Sequence, residues 1–158
     1  VIHTTPQGKP FDQLMAEEFS QKEHLLLICG HYKGIDERIV QKYVTHEVSL
    51  GDFVLTGGEL AAMAIVDATI RLKPGVLGDA ESAKTDSFST RRLGWPLYTR
   101  PEIFEGMEVP EILKGGHHAQ IELWRRREAL KRTIERRPDL LKKWPLTSEE
   151  ESILKKHC

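Results

Sequence analysis

Leu25-Leu26-Leu27-Ile28-Cys29-Gly30-His31-Tyr32-Lys33-Gly34-Ile35-Asp36 is the stretch that decides the fold. Its first five residues are apolar without alternation, the pattern of a strand covered on both faces. Gly30 and Gly34 then open a loop, and Asp36 is placed to cap a helix over about 37–43. Strand, glycine loop and helix in that order are the unit of a parallel α/β sheet. The unit recurs on either side. Upstream, residues 1–4 read as a strand and Thr5-Pro6-Gln7-Gly8 as a loop. Asp12 caps a helix over about 13–20, and Phe11 is placed to staple its entry. Downstream, 53–56 read as a third strand within the loop Leu50-Gly51-Asp52-Phe53-Val54-Leu55-Thr56-Gly57-Gly58-Glu59-Leu60. Residues 59–72 form the longest apolar helix, ended by Pro74-Gly75. That helix is apolar on nearly every face, which predicts burial.

Three strands make a thin sheet. The chain begins with Val1 rather than Met, already in a strand, and reads as a fragment whose sheet is completed by an upstream segment or a partner subunit. Residues 78–95 show no sustained period and are rich in Ser, Thr, Asp and Gly, so they read as a linker closed by Gly94-Trp95-Pro96. Beyond it the pattern is helical. A short turn or helix is expected from Pro110 to Leu113, with a break at Gly115-Gly116. An amphipathic helix over about 118–137 follows, with Ile121, Trp124, Leu130 and Ile134 inward, stopped by Pro138. A last helix over 148–156 starts at a Ser148/Glu151 capping box. The expected organisation is an α/β domain over 1–78, a flexible linker over 79–95 and a small, mostly helical domain over 96–158.

Composition narrows the function. The 158 residues carry a net charge of −1, but this hides a split. Residues 1–90 hold a net −5, residues 91–158 a net +4, and residues 124–143 alone a net +6. Charge divided in this way suggests two tasks: a small-molecule site in the acidic part and a phosphate backbone on the basic helix. No apolar run approaches the roughly 20 residues of a membrane span. Cys29 and Cys158 are far apart, with no C-x-x-C, so a disulfide framework or zinc site is not expected and a reducing cytoplasm fits.

Single residues are ambiguous. Gly57-Gly58 ahead of a helix is either an anion site or a tight strand–helix turn. Asp67 and Arg71, four apart, are either a helical ion pair or a guanidinium at a helix end facing a cleft. Asp86 is a solvated linker residue or something more. His117-His118 read as helix-start polar residues rather than metal ligands. The basic helix, with Trp124 and Trp144 nearby, is either a solvated face or an RNA surface.

Taken together, the segments Cys29 to Arg38 and Leu50 to Leu60, then Pro74-Gly75-Val76-Leu77-Gly78, Asp86-Ser87-Phe88, Tyr98-Thr99-Arg100-Pro101, Phe104 to Pro110 and Trp124-Arg125-Arg126 resemble the bacterial tRNA (guanine-N1)-methyltransferase family of the knotted SpoU–TrmD superfamily. The match runs in order along essentially the whole chain. It implies a deep trefoil knot in the α/β domain and a small helical C-terminal domain. It also implies a homodimer with the active site at the subunit interface, and a segment ahead of Val1. The implied reaction moves a methyl group from S-adenosylmethionine to N1 of the guanine 3′ of a tRNA anticodon.

By the same resemblance Asp86 is the base for guanine N1 and Arg71 holds the charge on O6. The cofactor is cradled by His3, Thr4, Thr5, Pro6 and Gly8, by Gly30, Tyr32, Lys33 and Gly34, and by Ser49, Leu50, Gly51, Asp52, Phe53, Val54, Leu55, Gly57 and Gly58. Contacts to tRNA fall to Arg100, His118, Arg125 and Arg126. Two departures stand out. Lys33 replaces an acidic residue of many members, and His3-Thr4-Thr5 replaces a Tyr-Leu-Ser run. With Lys33 there, the family's magnesium dependence finds no clear carboxylate cage, and no metal ligand is expected. A non-catalytic RNA-binding module and a ribose 2′-hydroxyl methyltransferase are the competing readings.

Overall fold

The computed structural model describes residues 1–76, 78 and 85–155. Leu77, positions 79–84 of the stretch read as a linker, and 156–158 with Cys158 lie outside the described residues. The chain divides into two compact units, Val1–Ala83 and Lys84–Cys158.

The first unit is a parallel sheet of order β2-β1-β3. Strand β1 spans Ile2–Pro10, β2 Leu27–Cys29 and β3 His46–Ser49. Helices α1 (Gln13–Ser20), α2 (Glu37–Tyr43) and α3 (Glu59–Ile70) alternate with them. Both predicted caps form: an Asp12 carboxylate oxygen accepts from the Met15 amide at 3.0 Å, and one of Asp36 accepts from Arg38 at 2.9 Å. The core is Ile2, Phe19, Val48 and Ile65, with Phe11, Met15, Leu25, Leu27 and Leu50 packed against it.

The third strand is not at 53–56, where the sequence places it. It lies at His46–Ser49, where only Val48 carries a large buried apolar side chain. Pairing with β1, in the register Ile2↔His46 to Thr4↔Val48, outweighs local composition there. Phe53, Val54 and Leu55 are exposed in a loop instead. Helix α3 also departs from expectation. It buries Ala61, Ile65 and Thr69 on one face, while Leu60, Met63, Val66 and Ile70 are exposed on the other.

One irregularity positions the site. Thr4 and Lys9 both register with Val48, so residues 5–8 leave the ladder as an excursion from the middle of β1. Gly8 ends it where a Cβ would fall on the Val48 amide and the Glu47 carbonyl, so glycine is required by contact.

The second unit contains a small hairpin, β4 (Ile103–Phe104) with β5 (Met107–Glu108), turned by Glu105 and Gly106 at φ of 50° and 79°. A 3₁₀ turn follows at Glu111–Leu113. Then come α4 (His118–Arg136), α5 (Pro138–Lys143) and α6 (Ser148–Lys155). Of the α4 residues expected inward, Leu130 is buried and Ile134 is not; Ala129 and Thr133 complete the buried stripe. Pro138 begins α5 rather than only stopping α4, because a proline is tolerated where the first amide needs no partner. The capping box of α6 lies one residue earlier than read. Thr147 Oγ1 accepts from the Glu150 amide at 3.2 Å, and Glu150 Oε2 accepts from the Thr147 amide at 2.8 Å. Among the described residues no helix is long and apolar enough to cross a membrane.

Candidate functional site

The carboxyl ends of β1 and β2, with the loop after β3, surround a cavity of about 310 Å³ in the first unit. This is where ligands sit in open parallel sheets. His3, Thr4, Thr5 and Pro6 line it from β1 and its excursion. Gly30, Tyr32, Lys33 and Gly34 line it from the loop after β2. Ser49, Leu50, Gly51, Phe53, Val54, Leu55, Gly57 and Gly58 line it from the segment between β3 and α3. Of the cradle positions read from the sequence, Gly8 and Asp52 are not among the lining residues. Gln7, His31, Val48, Thr56 and Ala61 line it without having been singled out. Gln7 and His31 lie inside loops already recognised. Val48 and Ala61 carry no local mark, being core-facing residues that border the cavity floor.

The loops are fastened to the sheet and to one another. The Gly58 amide donates to the Gly30 carbonyl at 3.1 Å. Thr4 Oγ1, buried, lies 3.3 Å from both the Ile28 and Gly58 carbonyls. A Cβ on Gly58 would meet Thr4 Oγ1 and the Cys29 backbone, which is why a glycine stands there. Ser49 Oγ and Gly51 close a small turn through two contacts of 3.1 Å. Gly34 and Gly51 hold φ of 116° and 152°, and Tyr32, fully exposed, holds 57°.

Electrostatics bear on the reading of Gly57-Gly58. Helix α3 starts at Gly58 with no side-chain cap, so its first amides are donors. Glu59 occupies that position. Its own backbone amide and then His31, whose Nε2 is 2.5 Å from Oε1, hold its carboxyl below the ordinary value. A carboxylate therefore stands beside the first amides of α3, where an anionic ligand would meet like charge. Beneath it the Cys29 thiol is raised, first by burial and then by Glu59, so it is a poor nucleophile. His3, like Thr4 and Ser49, is a buried polar residue on the cavity wall. Its Nδ1 has no hydrogen-bond partner and lies 3.8 Å from Glu47 Oε1.

Arg71 caps the carboxyl end of α3, its amide bonded to the Asp67 carbonyl at 3.3 Å. Asp86 belongs to the second unit. It lines a separate cavity there, of about 480 Å³, with Arg92, Trp95, Glu122, Arg126 and Glu150 among its walls. On that unit Arg125 lies over the Trp95 ring at 5.2 Å and Lys143 over Trp144 at 4.5 Å, while Arg126 pairs with Glu149 at 2.8 Å. Arg100 and His118 are exposed. Cations interleaved with aromatic rings are a surface suited to bases and phosphates. Among the described residues no group of three or more His, Cys, Asp or Glu side chains could hold a metal ion.

The family model described as tRNA (Guanine-1)-methyltransferase TrmD matches residues 1–143. A protein of Listeria welshimeri is 61% identical over 155 residues, covering 98% of this chain and 63% of its own length. Proteins of Brevibacillus brevis (57% over 154 residues, 98% and 63% covered) and Staphylococcus carnosus (55% over 157 residues, 99% and 64% covered) are similar in the same way. All three are named tRNA (guanine-N(1)-)-methyltransferase.

The chain belongs to the tRNA (guanine-1)-methyltransferase family.

The family match runs through both units, and the chain spans a little under two thirds of the length of the curated relatives it matches. As a member of the tRNA (guanine-1)-methyltransferase family it carries the three-loop cavity in one unit and the basic helix in the other.

Proposed function

We propose that this chain transfers a methyl group from S-adenosylmethionine to N1 of the guanine immediately 3′ of a tRNA anticodon, in the cytoplasm, as a homodimer whose subunits share the active site. The observation that carries the reading is the convergence of three separate loops on one cavity in a chain of this family.

The cavity suits the methyl donor. Its volume, about 310 Å³, lies in the small-molecule range. Leu50, Val54, Leu55 and Ala61 offer apolar walls for a purine face. Backbone groups of the glycine loops offer donors and acceptors at its edge. Bound there, S-adenosylmethionine supplies a methyl group activated by its sulfonium charge. The fixed carboxylate of Glu59 beside the loops suits a cationic ligand better than a phosphate.

The protein's remaining tasks are proton removal and charge stabilisation. Guanine N1 carries a proton and is a poor nucleophile until it is lost. Asp86 accepts that proton. Negative charge then builds on guanine O6, where the Arg71 guanidinium stabilises it. Arg100, His118, Arg125 and Arg126 hold the tRNA backbone and bases. The exposed stripe Leu60, Met63, Val66 and Ile70 on α3 is the face offered to the second copy. The trefoil knot and the division into an α/β and a helical domain belong to the same proposal.

The test is nucleoside analysis of tRNA after incubation with the protein and S-adenosylmethionine. The proposal expects 1-methylguanosine from the wild type and none from Asp86→Asn, with cofactor affinity nearly unchanged. A ribose-methylated product, or full activity in Asp86→Asn, overturns it.

A further inference from the structure

Arg92 is a buried arginine, 6% exposed, in a stretch with no sequence periodicity. All five of its N–H donors are used. Nε and Nη2 donate to Glu150 Oε1 and Oε2, each at 2.8 Å. Nη1 donates to the carbonyls of Trp144 at 3.0 Å and Arg91 at 3.2 Å, and Nη2 also donates to Pro145 at 3.1 Å. Lysine has three donors and no planar fork, so it cannot make this set. Glu150 is satisfied in turn by the Thr147 amide. Burial would raise the Glu150 carboxyl, but the bonds from Arg92 and Thr147 outweigh it and hold the group below its ordinary value.

We propose that Arg92, clamped by Glu150 and the carbonyls before α6, is a positioning residue that holds Asp86 in its working orientation. This rests on the reading of Asp86 as the base for guanine N1. The clamp reaches Asp86 through a closed turn. The Arg92 carbonyl accepts from the Phe88 amide at 2.7 Å, and the Phe88 carbonyl from the Arg91 amide at 3.0 Å. The Asp86 carbonyl accepts from Ser89 Oγ at 2.6 Å. Ser87 Oγ accepts from the Gly94 amide at 2.9 Å, and Thr133 Oγ1 on α4 from the Leu93 amide at 2.9 Å. Phe88 and Arg91 hold φ of 74° and 64°, a backbone that non-glycine residues keep only where their surroundings over-determine it. Asp86, Arg92 and Glu150 face the same 480 Å³ cavity. The ion pair therefore joins the turn that carries Asp86 to the last helix, 58 residues away in sequence.

The experiment measures tRNA methylation by Arg92→Lys, with Ser87→Ala as a second variant that cuts the same turn at an exposed position. A misplacement of about 1 Å costs on the order of 100-fold in rate, so kcat is expected to fall about 10- to 100-fold. KM for tRNA and calorimetric affinity for S-adenosylmethionine stay within about twofold, and hydrogen exchange at the Phe88 and Gly94 amides quickens. Ile153→Val loosens the buried face of α6 without touching the clamp, and is expected to lower the unfolding temperature while keeping kcat. If Arg92→Lys does not fold, a kcat loss in Ser87→Ala with unchanged affinity supports the role. A folded Arg92→Lys with wild-type kcat overturns it, as does an unfolded Arg92→Lys with wild-type kcat in Ser87→Ala, or an equal kcat loss in Ile153→Val. A wild-type protein that makes no 1-methylguanosine, or an active Asp86→Asn, removes the functional reading instead, and the role of Arg92 with it.

Discussion

Replacing Gly58 by alanine tests how the loops are seated. Gly58 has φ −83° and ψ −5°, an ordinary right-handed backbone, so alanine meets no conformational barrier there. Its whole cost is collision. The added Cβ lands on Thr4 Oγ1, 2.9 Å from Cys29 Cα and 3.2 Å from Cys29 Cβ. Thr4 and Cys29 are strand residues paired in register, so neither backbone can yield cheaply. The loop must withdraw, stretching the Gly58 amide to Gly30 carbonyl bond of 3.1 Å and the Thr4 to Gly58 bond of 3.3 Å. Overpacking costs about 1–3 kcal/mol and each lost hydrogen bond about 0.5–1.5 kcal/mol, giving for the two bonds an expected loss of about 2–6 kcal/mol. For a unit of this size that lowers the unfolding midpoint by about 10 °C or more. Affinity for S-adenosylmethionine should fall at least about tenfold, since Gly58 and its neighbours line the cavity. Circular dichroism melting and calorimetric titration read the two effects. Gly115→Ala, whose Cβ would sit 3.7 Å from the nearest atom, is the control, expected within about 0.5 kcal/mol of wild type. If Gly58→Ala melts like the wild type and binds within twofold, the loop–sheet contact does not shape the cavity.

Three further outcomes are expected. Leu60→Glu with Met63→Glu places charge in the exposed stripe of α3 and should convert the proposed dimer to a folded monomer by light scattering; a dimer in both wild type and variant rejects that face. The Glu150 carboxyl titrates below its ordinary value of about 4.3 in the folded protein. Its contribution to stability is therefore complete above that pH and is lost as pH falls through the folded value. Acid melting curves should show a fall in this range that Glu150→Gln lessens, and an identical pH dependence in the variant contradicts the assignment. Arg125→Ala with Arg126→Ala should weaken tRNA binding and reduce the slope of log affinity against log salt by about 1.4–1.8, whereas an unchanged slope removes both residues from the RNA surface.

What could be read without coordinates was local. Asp12 and Asp36 announce their helices because a capping carboxylate acts within three residues. The glycine loops stood out because close backbone approach leaves a compositional mark, and Gly58 and Gly8 bear that out by contact. The third strand was misplaced because Phe53, Val54 and Leu55 owe their apolar character to a cavity wall rather than to a sheet. Val48 alone marks the true strand, which long-range pairing to β1 defines. Helix α3 read as buried because composition does not say which face a sheet covers. The Arg92–Glu150 clamp left no pattern at all, since its partners meet only through tertiary packing. Gln7 and His31 show the opposite case: a recognised loop brings its neighbours into the site with it.

The most direct measurement is calorimetric titration of S-adenosylmethionine into this 158-residue chain. Saturable micromolar binding at one site per chain is expected, lost or weakened in Gly58→Ala. A folded chain that releases no heat of binding and shows no thermal stabilisation by the ligand would contradict the claim that the three loops form the methyl-donor pocket.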